Sequence, residues 1–148
     1  MLLLTFQAAG ALYGVDAAGV VSVIPRVALR RPPHAPEFLA GVFEYRGEVL
    51  SVVDLGVLFG SSPAPDRLST RIILVDRAFR SAETPPRRSL LGLIVEDAGD
   101  FVSIDPAALT PTAVPSPRAP YLGGIADTDR GMVQLILPEK VLEDPAPE

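Results

Sequence analysis

The strongest constraint on this chain is a pattern of residues that occurs twice. Phe38-Leu39-Ala40-Gly41-Val42 is followed by Arg46-Gly47 and then by the apolar run Val49-Leu50-Ser51-Val52-Val53-Asp54-Leu55. Tyr121-Leu122-Gly123-Gly124-Ile125 is followed by Arg130-Gly131 and the run Met132-Val133-Gln134-Leu135-Ile136-Leu137. An aromatic entry, a glycine-led strand, a tight Arg-Gly turn and a second strand, twice in one order, is more than hydrophobicity alone dictates. It predicts a β-protein built from two related halves.

A second pair points the same way. Leu12-Tyr13-Gly14-Val15-Asp16, running on through Val20 to Val23, resembles Leu91-Gly92-Leu93-Ile94-Val95-Glu96, running on through Phe101 to Ile104, with a small slip in the middle. Both pairs keep the same order along the chain.

At 148 residues the chain suits one domain, burying about two-thirds of the surface it exposes when unfolded. The hydrophobic content of 48% against 21% charged residues excludes wholesale disorder. Sixteen prolines and twelve glycines demand many turns and exclude a continuous helical bundle. With no cysteine there is no disulfide framework, thiolate metal site or thiol nucleophile.

The opening Met1 to Phe6 is apolar but lacks a basic flank and is far too short to span a bilayer. No other stretch reaches spanning length without polar interruption, so the expectation is a soluble cytoplasmic protein with no direct membrane insertion. A formal net charge of -5 repels a phosphate backbone, so nucleic acid is not an expected partner. The adjacent basic pairs Arg30-Arg31 and Arg87-Arg88 read as solvated loops or protein contacts.

Strands are expected over Leu2 to Gln7, Leu12 to Asp16, Val20 to Ile24, Gly41 to Tyr45, Glu48 to Asp54, Arg71 to Asp76, Leu90 to Val95, Phe101 to Ile104, Tyr121 to Ala126 and Met132 to Leu137. That is near ten. Gly47 supplies the positive φ that the Arg-Gly hairpin turn needs. One helical turn is expected at Pro36 to Leu39, inserting Phe38 beneath a barrel, and short helical turns at Leu55 to Phe59 and after Pro138. Arg77 to Ser89 reads as a long loop, and the proline-dense 105–120 as a stiff link. No flexible linker separates the halves. Two small barrels sharing strands therefore fit better than two independent domains, with residues 1–143 as one domain and 144–148 as a frayed tail.

Assembled catalytic chemistry is missing. His34, the single histidine, lies in a proline-flanked loop without a paired ligand. Asp54, Asp76 and Asp105 end apolar runs, where they suit capping of the following turn. Glu96-Asp97 and Asp127 with Asp129 lack calcium-loop spacing. No phosphate-cradling glycine loop and no Gly-x-Ser-x-Gly elbow occurs. No cofactor and no metal are expected. What remains is adhesive surface, with Arg46 as its sharpest residue, because Gly47 fixes it on a turn and its planar guanidinium directs several hydrogen bonds.

Together these residues resemble the CheW-like family of bacterial chemotaxis coupling proteins. The likeness takes in Tyr13-Gly14-Val15-Asp16, Val20 to Val23, Pro36-x-Phe38-Leu39-x-Gly41-Val42, Arg46-Gly47-x-Val49 and Val52-Val53-Asp54-Leu55. It continues through Leu91-Gly92-Leu93-x-Val95-Glu96, Tyr121-Leu122-x-Gly124 and Leu135-Ile136-Leu137 with Val141-Leu142, almost the whole chain.

The resemblance implies an all-β fold of two intertwined five-stranded barrels, each like the Src-homology-3 barrel. It also implies a non-enzymatic adaptor joining the regulatory domain of a CheA-type histidine kinase to the cytoplasmic tip of a methyl-accepting chemoreceptor. Arg46 and Gly47 fall on the family's Arg-Gly motif and Gly41 on its preceding glycine. Val20, Val21 and Ser22 fall in the usual Val-x-Glu-Ile region on a partner-facing barrel edge. Ser22 stands where many relatives carry Glu. Glu44 precedes Tyr45-Arg46-Gly47 where many read Asn-Leu-Arg-Gly, so a Glu44–Arg46 ion pair is expected. Ser51 replaces a common Pro. Ser22 and Glu44 leave a second reading, a divergent module in another signalling assembly; a remote third, a small hydrolase using scattered carboxylates, would need two acids to converge on a pocket.

Overall fold

A computed structural model describes residues 1–80, 89–111 and 117–141. The Arg87-Arg88 pair, the centre of the proline-dense link and the tail from Leu142 onward lie outside the described residues. Nine strands run β1 (Leu2–Ala8), β2 (Ala11–Asp16), β3 (Val20–Pro25), β4 (Leu39–Tyr45), β5 (Glu48–Asp54), β6 (Thr70–Asp76), β7 (Leu90–Ser103), β8 (Leu122–Thr128) and β9 (Gly131–Ile136). One short helix, α1 (Leu55–Leu58), follows β5, and 3-10 turns lie at Ala17–Gly19, Pro106–Ala108 and Pro138–Lys140.

The pairings divide into two five-membered sets. β3, β6, the first half of β7, β5 and β4 form barrel one, in which β5 lies parallel to β7. The second half of β7, β1, β2, β9 and β8 form barrel two, in which β2 lies parallel to β9. Each half of the chain therefore lends strands to both barrels, which is what intertwines them.

The expectation of separate strands at Leu90 to Val95 and Phe101 to Ile104 is corrected: β7 is one strand of 14 residues. Asp97 and Gly99 hold positive φ values of 50° and 152°. The register against β1 slips between Thr5 and Gln7, so a bulge bends the strand without breaking it. β7 then serves both barrels, and the described residues hold nine strands. Pro36 to Leu39 forms a simple turn, closed by Leu39 N–H to the Pro36 carbonyl at 3.0 Å, not a helical one. Phe38 still packs against the central core.

Three cores explain why the strands do not alternate cleanly. Leu50, Val52, Ile72, Leu74 and Ile94 fill barrel one, and Leu3, Val133 and Leu135 fill barrel two. The largest cluster, including Leu4, Phe6, Val53, Ile73, Val75, Leu93 and Ile136, lies between the barrels. Ile72 and Leu74 thus face one core and Ile73 and Val75 another. A strand buried on both faces reads as a continuous apolar run.

The repeat seen in the sequence is a repeat in space. Arg30 and Val42 exchange backbone hydrogen bonds of 2.9 and 2.8 Å, as Thr110 and Ile125 do at 2.8 Å each. Asp54 N–H donates to the Phe38 carbonyl at 2.9 Å, and Leu137 N–H to that of Tyr121 at 2.7 Å. In each barrel a glycine beside the bridge lets the backbones come close. A Cβ on Gly41 would lie 2.9 Å from the Arg30 carbonyl oxygen, and one on Gly124 would lie 3.2 Å from that of Thr110.

Candidate interaction surface

The sequence-predicted residues gather on barrel one in two places, β3 and the β4–β5 hairpin. Along β3 burial alternates, so Val20 and Ser22 are half-buried while Val21 and Val23 are exposed. Val20 packs against the central core. The register against β6 passes from Val20–Val75 directly to Ser22–Leu74, which makes Val21 an inserted bulge residue and aims its side chain at solvent. Val23, Pro25 and Val27 continue the exposed line.

In the hairpin, Tyr45 and Glu48 are the last pair, leaving Arg46 and Gly47 as a two-residue loop. Both lie in the left-handed region, with φ of 49° and 84°, the pattern of a type I′ turn. Gly47 accepts this without cost; Arg46 carries a Cβ there and is strained. The Arg46 guanidinium carbon lies 5.2 Å from the centroid of the Tyr45 ring, and that ring meets Phe43 edge-on at 6.4 Å. Phe43 and Tyr45 pack against the barrel-one core, so the aromatic under the cation is itself anchored from below.

The expected ion pair between Glu44 and Arg46 does not form. Alternation along β4 puts Glu44 on the outward face, directly across from Val49, which is 73% exposed. Arg46 instead turns onto Tyr45. Glu44 and Val49 border an open cleft of about 600 Å³ whose other walls include Arg30, Pro32, Pro33 and Val42. Gly41 is buried at the barrel closure, with φ of 151°, and shapes this cleft without lining it. Sequence reasoning missed Val49, which the hairpin register places across from Glu44, and it read Arg30 only as half of a basic pair, whereas the bridge to Val42 sets Arg30 in the cleft wall.

The strand-end carboxylates are occupied as caps. Asp54 Oδ1 accepts from Gly56 and Val57 N–H at 3.0 and 3.4 Å, and its Oδ2 from Ala64 N–H at 3.0 Å. Asp105 Oδ1 accepts from Ala107 N–H at 2.9 Å. Among the described residues no group of three or more His, Asp or Glu is placed to hold a metal ion, and His34 sits in an exposed turn. Asp54 and Asp105 hold the turns that follow them, and Asp105 also lines an open cleft of about 260 Å³ together with Asp127 and Asp129.

An aromatic file lines the seam between the barrels. Tyr13 lies 4.9 Å from Phe59, and Phe59 lies 5.7 Å from Tyr121, centroid to centroid. Burial pushes both tyrosine hydroxyls above their ordinary pKa, and Tyr13 raises Tyr121 further through its charge. The rings pack in the seam, and the Tyr121 hydroxyl donates to the Leu58 carbonyl at 3.4 Å.

The family model for the CheW-like domain matches residues 2–146. A probable chemotaxis protein CheW from Rhizobium etli is 30% identical over 106 residues, covering 70% of this chain and 63% of that protein. The chemotaxis protein CheW of Treponema pallidum is 36% identical over 53 residues, 36% of this chain and 31% of that protein. The chain thus spans less than two-thirds of the length of either relative. The crystal structure of the scaffolding protein TtCheW from Thermoanaerobacter tengcongensis superposes with a TM-score of 0.80 at 29% identity, over 99% of this chain and 90% of that one.

Proposed function

The chain belongs to the CheW-like domain family, and from that premise we propose that it is a non-enzymatic adaptor of bacterial chemosensory signalling. It couples the cytoplasmic tip of a methyl-accepting chemoreceptor to the regulatory domain of a CheA-type histidine kinase. It works in the cytoplasm and is recruited to receptor assemblies. Among the described residues no helix is long and apolar enough to cross a membrane.

The observation that carries this reading is Arg46. Its strained φ of 49° is retained on a turn where Asn or Gly sits more easily, which marks a side chain kept for what it reaches. It sits at the tip of the hairpin whose Glu44 and Val49 line the cleft and makes no ion pair among the described residues. A planar cation resting on a ring stays available for a partner's carboxylate or carbonyl. β3 offers a second contact through Val21 and Val23, which are exposed on a bulged strand at the edge of barrel one.

Two titrations test the proposal, one with receptor cytoplasmic fragments and one with the isolated kinase regulatory domain. Binding to both, and loss of coupling with Arg46→Ala at an unchanged melting temperature, are expected. Failure to bind either partner sinks the adaptor role, and binding to only one makes the chain a divergent module of another signalling assembly.

A further inference from the structure

Two acids flank the tip that carries Arg46. Glu44 precedes Tyr45 on β4, and Glu48 faces Tyr45 across the hairpin as its register partner. Both acids are exposed. Each lies two positions from Arg46, and a long flexible cationic side chain is attracted to an opposite charge so close. Yet among the described residues neither acid pairs with Arg46. The guanidinium carbon instead lies 5.2 Å from the centroid of the Tyr45 ring.

The ring wins that competition because it is already fixed. Phe43 and Tyr45 both pack against the barrel-one core, and their rings meet edge-on at 6.4 Å. An exposed ion pair has to order two long side chains and is screened by salt, so it gains little. Stacking on an anchored ring orders the arginine alone. The turn adds to this, since Arg46 and Gly47 at φ of 49° and 84° set where the arginine side chain begins.

We propose that Tyr45 is the positioning residue of the Arg46 contact: its ring holds the guanidinium away from Glu44 and Glu48 and so keeps it open to a partner's oxygen acceptors. This rests on the adaptor reading for the partner, whereas the placement of the guanidinium is measurable on the chain alone. Without the ring, Arg46 divides its time between two acids, and only the unpaired fraction meets the partner, which lowers apparent affinity by that fraction.

The full chain is compared with Tyr45→Leu, which keeps an apolar side chain on the core but removes the ring face, and with Tyr45→Phe, which keeps the ring. In NMR spectra of the isotope-labelled protein, the Arg46 side-chain protons are expected to be shifted upfield by the ring in the parent and in Tyr45→Phe, and to lose that shift in Tyr45→Leu. Arg46 protons without a ring shift in the parent overturn the positioning role. Affinity is then measured for whichever of the receptor fragment and the kinase regulatory domain Arg46→Ala weakens. Tyr45→Leu is expected to lower it roughly two- to fivefold, and Tyr45→Phe to recover that loss. In a background of Glu44→Gln and Glu48→Gln, the same Tyr45→Leu change is expected to cost little. That comparison separates positioning from packing, because a hairpin that is only loosened binds weakly whether or not the acids are charged. An equal loss in both backgrounds overturns the proposal. If neither partner binds the parent, the adaptor reading falls, and the spectra alone decide whether Tyr45 holds Arg46.

Discussion

The two Arg-Gly hairpins share a scaffold and differ at the tip. In the first, Arg46 and Gly47 are the loop and both take positive φ. In the second, Thr128 pairs with Gly131, so the loop is Asp129-Arg130 and the glycine, at φ 109°, has slid into the strand. That glycine position matches a type I turn closed by a bulge. The one-residue slip decides what each arginine does. Arg46 points out over Tyr45, whereas Arg130 pairs with Asp100 on β7. The same dipeptide thus presents on barrel one a cation with no ion pair among the described residues, and ties a hairpin to its neighbour strand on barrel two.

The largest test of the shared scaffold is at the closures. Gly41→Val and Gly124→Val should each destabilise the fold by roughly 2–4 kcal/mol in urea titrations, since a side chain there meets backbone. A loss under about 1 kcal/mol at either site would mean that the two closures are not equivalent. The tips should then part company. Arg46→Ala is expected to weaken partner binding at least tenfold, about 1.4 kcal/mol, and Arg130→Ala to leave it unchanged; equal effects would erase the distinction between the hairpins.

Arg46→Asn sharpens the contrast further. Asn-Gly is the preferred type I′ pair, so this variant should gain about 1 kcal/mol of stability while losing partner affinity. A variant that is less stable would show that position 46 bears no strain. The smallest effect belongs to Asp100→Asn, which removes the exposed pair with Arg130 and should cost no more than about 0.5 kcal/mol, less in high salt. A larger loss would make the second hairpin's tether a structural necessity.

Much of this was legible because it is local. The hairpins, the positive φ at Gly47, and the caps at Asp54, Asp76 and Asp105 follow from turn chemistry within a few residues. The repeat was legible because equal closures need equal glycines. What was not legible is non-local. β7 reads as two strands because Asp97 and Gly99 look like punctuation, yet β1 pairs with both sides of the bend. Ser22 draws attention as a changed residue, but it is half-buried, and the exposed positions of β3 are Val21, Val23 and Pro25.

By itself the sequence determined an all-β chain of two related halves, where its turns fall, and which arginine sits on a glycine-supported tip. Those features depend on backbone preference and side chains a few positions apart. Tertiary structure alone decided how the halves trade strands, why Arg46 stacks on Tyr45 while Arg130 is tied down, and that Arg80 reaches back 64 positions to Asp16. Such contacts are made only after distant segments have been brought together against chain entropy, and no local pattern encodes which of many possible partners that closure delivers.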